Sequence, residues 1–259
     1  MIPQAYITAW RIKAPWQEDY QVEQDLIIER ALVEIYTDPF LKERLAFRGG
    51  TALHKLHLSP AVRYSEDIDV VQIKAEPFGP TIDKLRERLS FLCKPIIKQK
   101  EHNNTIVYRF ISETGIPSKL KIEVLCREHF VVYGIQEPML VINSEWFSGH
   151  VRLPSYDITE LLGTKMRVLY QRRKGRDLFD LHYAMTQANA DPGKIIHAWK
   201  YYINKEGNSV SQLAFIENME KKIIDRDFLG DIHGLLRPGV NYEAENAYRF
   251  IKAHLLEKI

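Results

Sequence analysis

Cysteine is scarce: Cys93 and Cys126 are the only two in 259 residues. That excludes a disulfide framework and leads to an expectation of free core thiols in a reducing, cytoplasmic compartment. Long apolar runs are missing as well. No window reaches the ~18 consecutive apolar residues of a membrane-spanning helix. The opening MIPQAYITAWRIKAPW has no signal-peptide pattern, so no membrane association is expected. Charge of one sign is not in excess either. The 36 Lys and Arg against 34 Asp and Glu leave +2, so any nucleic-acid surface must be a local patch. Repeats and low-complexity tracts are absent. What remains is an ordinary globular composition, 45% hydrophobic and 27% charged. The chain is long enough for one large domain or two of usual size, with a sizeable core.

Hydrophobic period divides the chain. Gln21 to Thr37 reads as an amphipathic helix, with Val22, Leu26, Ile27, Leu32, Val33 and Ile35 apolar. Leu45 to Arg48 reads as a strand closed by two glycines, Thr51 to Leu58 as a helix ended by Ser59-Pro60, and Asp67 to Ile73 as a strand. Thr81 to Phe91 reads as a helix capped by its threonine. Thr105 to Ser112 and Leu120 to Cys126 form a predicted hairpin around Gly115-Ile116-Pro117. After Pro154 the pattern becomes helical: Asp157 to Arg173, Arg176 to Ala188, Pro192 to Asn204, Ser209 to Arg226 and Tyr242 to Leu256. The expected organisation is α+β, with a mixed domain over 1–150 and a helical domain over 151–259.

One stretch carries chemistry. Gly49-Gly50-Thr51 follows a strand and opens a helix, and glycine lets backbone approach a ligand closely. Asp67 and Asp69 sit at i and i+2 of the next strand and share a face, where they repel each other unless something positive lies between them. Carboxylates so placed suit Mg²⁺, which takes oxygen ligands and shares its shell with substrate phosphates. An exposed strand edge carrying acids is the plainer alternative. Because Ile68, Val70 and Val71 mark a strand that is partly buried, the metal reading is favoured. A third carboxylate is expected on a neighbouring strand. Glu123, between Ile122 and Val124, is either that ligand or an exposed residue on an alternating strand.

Phe47-Arg48-Gly49-Gly50-Thr51-Ala52-Leu53, followed by Arg63-Tyr64-Ser65-Glu66-Asp67-Ile68-Asp69, resembles the signature of the AbiEii/AbiGii-type toxins. These form a family within the polymerase-β-like nucleotidyltransferases. Thr51 stands where the wider superfamily more often has serine, and it keeps the hydroxyl. Val22 to Asp25 also looks like the family's N-terminal segment, and the resemblance runs to about Leu181. It implies a polymerase-β-like domain with a small mixed sheet, followed by a helical bundle that completes the active-site cleft. It implies a toxin of a toxin–antitoxin or phage-defence system. Such a toxin transfers NMP from an NTP to an RNA acceptor such as a tRNA 3′ end, releases pyrophosphate, and is opposed by a separately encoded antitoxin. It assigns Mg²⁺ or Mn²⁺ to Asp67, Asp69 and Glu123, and nucleotide binding to Gly49, Gly50, Thr51, Arg63 and Ser65.

A second constellation lies between Lys165 and Arg176, which with Arg167, Arg172, Arg173 and Lys174 make six cations. They read equally as a solvated helix end or as an anion patch for nucleotide or RNA; Lys94, Lys98 and Lys100 are further candidates for RNA backbone. Lys165 lies mid-helix among Leu161, Leu162, Met166 and Leu169, and either snorkels outward or faces a phosphate. The resemblance implies that Lys165 and Arg176 contact the triphosphate and that Asp177 shapes the active site. Asp180 is open. His102, His129, His150 and His182 have no zinc spacing, and Trp199, Tyr201 and Tyr202 read as bundle packing. Two other readings stay open: an NTP-binding module without transfer, and a transferase acting on a protein or small-molecule hydroxyl.

Overall fold

In the computed structural model, which describes residues 2–259, the chain divides into two units, Met1–Tyr156 and Asp157–Ile259. The sequence placed the boundary at 150; the last strand of the sheet carries the first unit past it.

The first unit contains helices α1 (Gln4–Trp10), α2 (Asp19–Tyr36) and α3 (Pro39–Lys42), strand β1 (Leu45–Arg48), and α4 (Gly49–Ala52) running into a π-helical turn (Leu53–His57). Then come β2 (Asp67–Gln72), α5 (Gly79–Arg88), β3 (Ile96–Lys100), β4 (Asn103–Ile111), β5 (Pro117–Leu125), β6 (Ile135–Gln136), β7 (Met139–Asn143), β8 (Ser148–Arg152) and β9 (Ser155–Tyr156). Seven strands form one mixed sheet in the order β3-β4-β5-β2-β1-β9-β6, and β7 and β8 form a separate ribbon.

The expected hairpin is present as β4 and β5, with Ile106 opposite Ile122 and Tyr108 opposite Leu120. These residues, with Ile68, Val70 and Val124, are buried on one face. Helix α2 packs against β5 and α5. It starts at a reciprocal cap between Glu18 and Gln21.

Several local expectations need correction. Thr81 does not cap α5. The helix begins before it, with Pro80 in the first turn, and Thr81 is buried inside. The thiols are free but not in the core: Cys93 is exposed, Cys126 is half-buried, and both lie outside regular elements. Strand β3 gave no sequence signal, because Ile96, Lys98, Gln99 and Lys100 are exposed on an edge and no apolar alternation results. The expected Ser209–Arg226 helix is two pieces, with Ser211 capping one and Asp225 the other.

The second unit is helical: α6 (Ile158–Gln171), α7 (Gly175–Gln187), α8 (Pro192–Lys205), α9 (Gln212–Lys222), α10 (Arg226–Gly230), α11 (Ala244–His254) and a terminal 3₁₀ turn. Asp157 caps α6 through the Thr159 amide at 2.8 Å. Helix α6 lies close against α8 because Gly163 has no side chain: a Cβ there would sit 2.7 Å from Ala198 Cβ. Trp199 and Tyr202 are buried in this packing. No helix among the described residues is long and apolar enough to cross a membrane.

Candidate active site

Strand β2 runs antiparallel to β1 and parallel to β5. Ile68 and Val70 enter the core, so Asp67 and Asp69 lie on the opposite face, half-buried. In the parallel register Asp67 is across from Lys121, and Asp69 is across from Glu123. Glu123 therefore shares the face of the two aspartates, while its neighbours Ile122 and Val124 are in the core.

The positive charge between the acids is a lysine. Lys121 Nζ lies 2.8 Å from Asp67 Oδ2 and 3.2 Å from Glu123 Oε1. Burial works against its charge, but Asp67 and Glu123 outweigh burial and raise its pKa. At Asp67 burial wins. It outweighs the pull of Lys121, the charges of Asp69 and Glu66 add to it, and the carboxyl is pushed up to about 6. Asp67 Oδ1 is buried without a hydrogen-bond partner. Lys121 was legible in principle, because it sits two residues before Glu123 and so on its face. That it reaches Asp67 depends on the strand order.

Asp67 should therefore make the metal-free protein more stable at low pH. Its folded pKa of about 6 lies above the ordinary 3.8. Its stabilising contribution is full below the unfolded value and is lost as the pH rises through the folded one. Asp67→Asn is expected to raise the thermal midpoint near pH 8 in chelator, by the equivalent of about 1–3 kcal/mol. The gain should shrink as the pH falls from 6 towards 4. A difference independent of pH would show that this carboxyl is not the titrating group.

The glycines fit the acids closely. Gly49 has φ +79°, and a Cβ there would fall 2.2 Å from Asp69 Oδ2; a Cβ on Gly50 would fall 2.5 Å from Arg63 Nη2. The two halves of the motif thus meet in space. Thr51 is buried, and its hydroxyl donates to the Asp67 carbonyl and shares a 2.8 Å hydrogen bond with Ser65 Oγ. The family resemblance gives Thr51 to nucleotide binding; in this structure its hydroxyl pins the backbone of the strand that carries the acids. Gly49→Ala is expected to lose about 2–4 kcal/mol, combining left-handed strain with the clash. Gly115 is the control, since it has φ +82° with nothing within 4 Å of a Cβ. Gly115→Ala should show the strain alone, about 1 kcal/mol. Equal melting shifts for the two would remove the clash from the account.

Helix α2 holds this arrangement from behind. Gln24 Nε2 donates to the carbonyls of Glu66 (3.0 Å) and Lys119 (2.9 Å), clamping β2 to β5 just ahead of the acids. Lys55, in the turn after the glycines, is buried between Asp25 (2.8 Å) and Glu29 (2.7 Å). Trp10 Nε1 donates to the other Asp25 oxygen at 2.9 Å. Burial opposes the Lys55 charge, but the two carboxylates outweigh it and raise its pKa. Gln24 and Lys55 carried no sequence signal of this role beyond the likeness of Val22 to Asp25 to the family.

Lys165, Arg176 and Asp177 belong to the second unit. Lys165 neither snorkels nor stands bare: its Nζ is buried, 3.2 Å from Asp177 Oδ1 and 3.0 Å from Asp180 Oδ2. Arg172 grips Asp177 through Nε (2.7 Å) and Nη2 (2.9 Å). Burial would raise the Asp177 pKa, but Lys165 and Arg172 outweigh it and lower the value. Arg173 pairs with Asp225, Lys174 and Arg176 pair with Asp231, and Arg167 pairs with Glu206. All six cations of this stretch are thus matched by carboxylates.

A family model described as nucleotidyl transferase AbiEii toxin, type IV toxin–antitoxin system, matches residues 30–249. The chain belongs to the AbiEii nucleotidyltransferase toxin family. The AbiEii match extends past Leu181, through helices that had no diagnostic sequence feature. Among solved structures, the chain is similar to MenT4, a nucleotidyltransferase toxin of Mycobacterium tuberculosis H37Rv. The TM-score is 0.63 at 14% identity, covering 100% of this chain and 91% of that one. It is also similar to an H. pylori protein assigned as a nucleotidyltransferase, with TM-score 0.55 at 17% identity, covering 93% and 98%. These likenesses show the fold. No curated protein matches the chain. Membership of the AbiEii family makes the protein a nucleotidyltransferase and a toxin of a type IV system, and implies an NTP substrate and a cognate antitoxin.

The residues suit a divalent ion of the kind that nucleotidyltransferases use. Among the described residues no three His, Cys, Asp or Glu side chains are drawn together as a finished metal cage. Yet Asp67, Asp69 and Glu123 offer only oxygen, as Mg²⁺ and Mn²⁺ prefer. Asp67 Oδ1 has a buried, unanswered lone pair, and a cation, the Lys121 ammonium, already bridges two of the three acids.

Proposed function

We propose that this chain transfers NMP from an NTP to an RNA acceptor, such as the 3′ end of a tRNA, in a metal-dependent reaction in the cytoplasm. The observation that supports it most is the register that sets Asp67, Asp69 and Glu123 on one face, beside a glycine turn with no side chain between it and Asp69.

In the transfer, an acceptor hydroxyl attacks the α-phosphorus. A new O–P bond forms, the bond to the bridging oxygen breaks, pyrophosphate leaves with its charge, and the hydroxyl proton passes to solvent. Mg²⁺ or Mn²⁺ bound by Asp67, Asp69 and Glu123 would supply positive charge for the leaving group and acidify the hydroxyl. The protein's own part is positioning and charge. Gly49 and Gly50 leave room for Asp69 and the Arg63 guanidinium to close on the turn that would take the triphosphate. Thr51 and Ser65 fix the turn to the start of β2. Lys121 holds Asp67 and Glu123 together before substrate arrives.

The test incubates the protein with each α-labelled NTP, total tRNA and Mg²⁺ or Mn²⁺, with a chelator arm. Label on tRNA from a preferred NTP, lost in chelator, is the expected result. Label on protein or on a small metabolite would overturn the RNA acceptor. Intact NTP binding with no labelled product would favour a binding module.

A further inference from the structure

The sheet face that carries the acids does not end at β5. Register continues it across β4 and β3: Glu123 is opposite Thr105, and Thr105 is opposite Lys98. Two same-face positions along, Lys119 is opposite Arg109; at the other end, Lys100 is opposite Asn103. Residues paired across strands point to the same face. Lys98, Lys100, Arg109 and Lys119 are therefore on the face of Asp67, Asp69 and Glu123, and all four are exposed. Three strand spacings of ~4.8 Å put Lys98 about 14 Å from the Asp69 position, measured across the sheet.

None of these four side chains has a carboxylate partner among the described residues. The contrast with the Lys165–Arg176 stretch is direct, since every cation there is paired. In a chain of net +2, these four form a local patch of unpaired positive charge on the sheet. Lysines on an edge strand also discourage pairing with a second sheet, which accounts for Lys98 and Lys100. It does not account for Arg109 and Lys119, which lie on β4 and β5 inside the sheet. Arg109 and Lys119 also border a cavity of about 540 Å³, together with Tyr20 and Glu66, the residue before Asp67. At the far end the β3–β4 turn carries Glu101, which is 3.7 Å from His102.

We propose that this face is the track for the acceptor: Lys98, Lys100, Arg109 and Lys119 bind the phosphodiester backbone of a single-stranded RNA whose end reaches the carboxylates. The inference rests on the nucleotidyltransferase reading and names its acceptor surface. Four unpaired cations on one face match a polyanion, and their spacing from the acids leaves room for the terminal nucleotide.

Binding, read without transfer, tests it. The full chain is titrated with fluorescently labelled tRNA over a range of salt. It is compared with the variant Lys98→Gln/Lys100→Gln/Arg109→Gln/Lys119→Gln and with a charge-matched control, Lys13→Gln/Lys200→Gln/Lys221→Gln/Lys258→Gln. The track variant is expected to bind about 10²-fold more weakly at low salt, and its log–log salt slope should be shallower by roughly 2–3, at ~0.7 per phosphate contact. The control should keep the wild-type slope. Both sets of residues are exposed, so both variants should keep the wild-type melting point. A track variant that binds tRNA as the wild type does, or a wild type that binds no RNA, overturns the proposal even if NMP transfer is intact. Wild-type binding that falls in the track variant alone, with no transfer to any RNA, upholds the track and counts against the transfer reading.

Discussion

Asp69→Asn should lower NMP transfer by about 10³-fold or more, equivalent to about 4 kcal/mol of transition-state stabilisation. Asparagine keeps the shape of the carboxylate, so Gly49 still faces a side chain of the same size. What it removes is one of three charges on the face, the one opposite Glu123. Nothing else on β2 replaces it: Ile68 and Val70 face the core, and Asp67 is already bridged to Lys121. The thermal midpoint should hold, because fewer like charges remain on one face. Steady-state kinetics with the preferred NTP read the effect in kcat. Activity within tenfold of wild type would remove Asp69 from the reaction and, with it, the metal reading.

Lys165→Met should be the most destabilising of these substitutions, by about 3–5 kcal/mol, because it strips the shared cation from two carboxylates. Asp177 and Asp180 are both 0% exposed. Asp177 retains Arg172, but its charge would then be balanced on one side only. For a chain of this size the midpoint should fall by roughly 10 °C. Lys165→Met/Asp180→Asn should recover part of the loss, since it removes one of the stranded charges. Melting curves decide between this account and the triphosphate contact that the family resemblance implies. An unchanged midpoint with a raised KM for NTP would give Lys165 to the substrate and withdraw it from the packing.

The motif residues were legible because glycine, a hydroxyl and paired acids at fixed spacing have a local meaning. The hairpin of β4 and β5 was legible because Ile106, Tyr108, Leu120 and Ile122 alternate with polar residues. What was misread or left open shared one cause. Thr81 resembled a cap until Pro80 began the helix ahead of it. The basic stretch at Lys165–Arg176 stayed open between a solvated helix end and an anion patch, because its carboxylate partners Asp225, Asp231 and Glu206 are far along the chain. Charge balance is a property of space, and a run of cations does not disclose it.

Residue order alone puts Asp67 and Asp69 on one face, sets Glu123 on a strand with its neighbours in the core, and leaves Gly49 and Gly50 without side chains. These follow from the two-residue period of a strand and from the missing side chain of glycine. The packed fold alone sets β5 parallel beside β2, which brings Glu123 opposite Asp69 and Lys121 against Asp67. The same packing leaves some cations unpaired and matches others. Strand order and register come from burying apolar faces contributed by distant segments, and no local pattern encodes which distant segment will arrive.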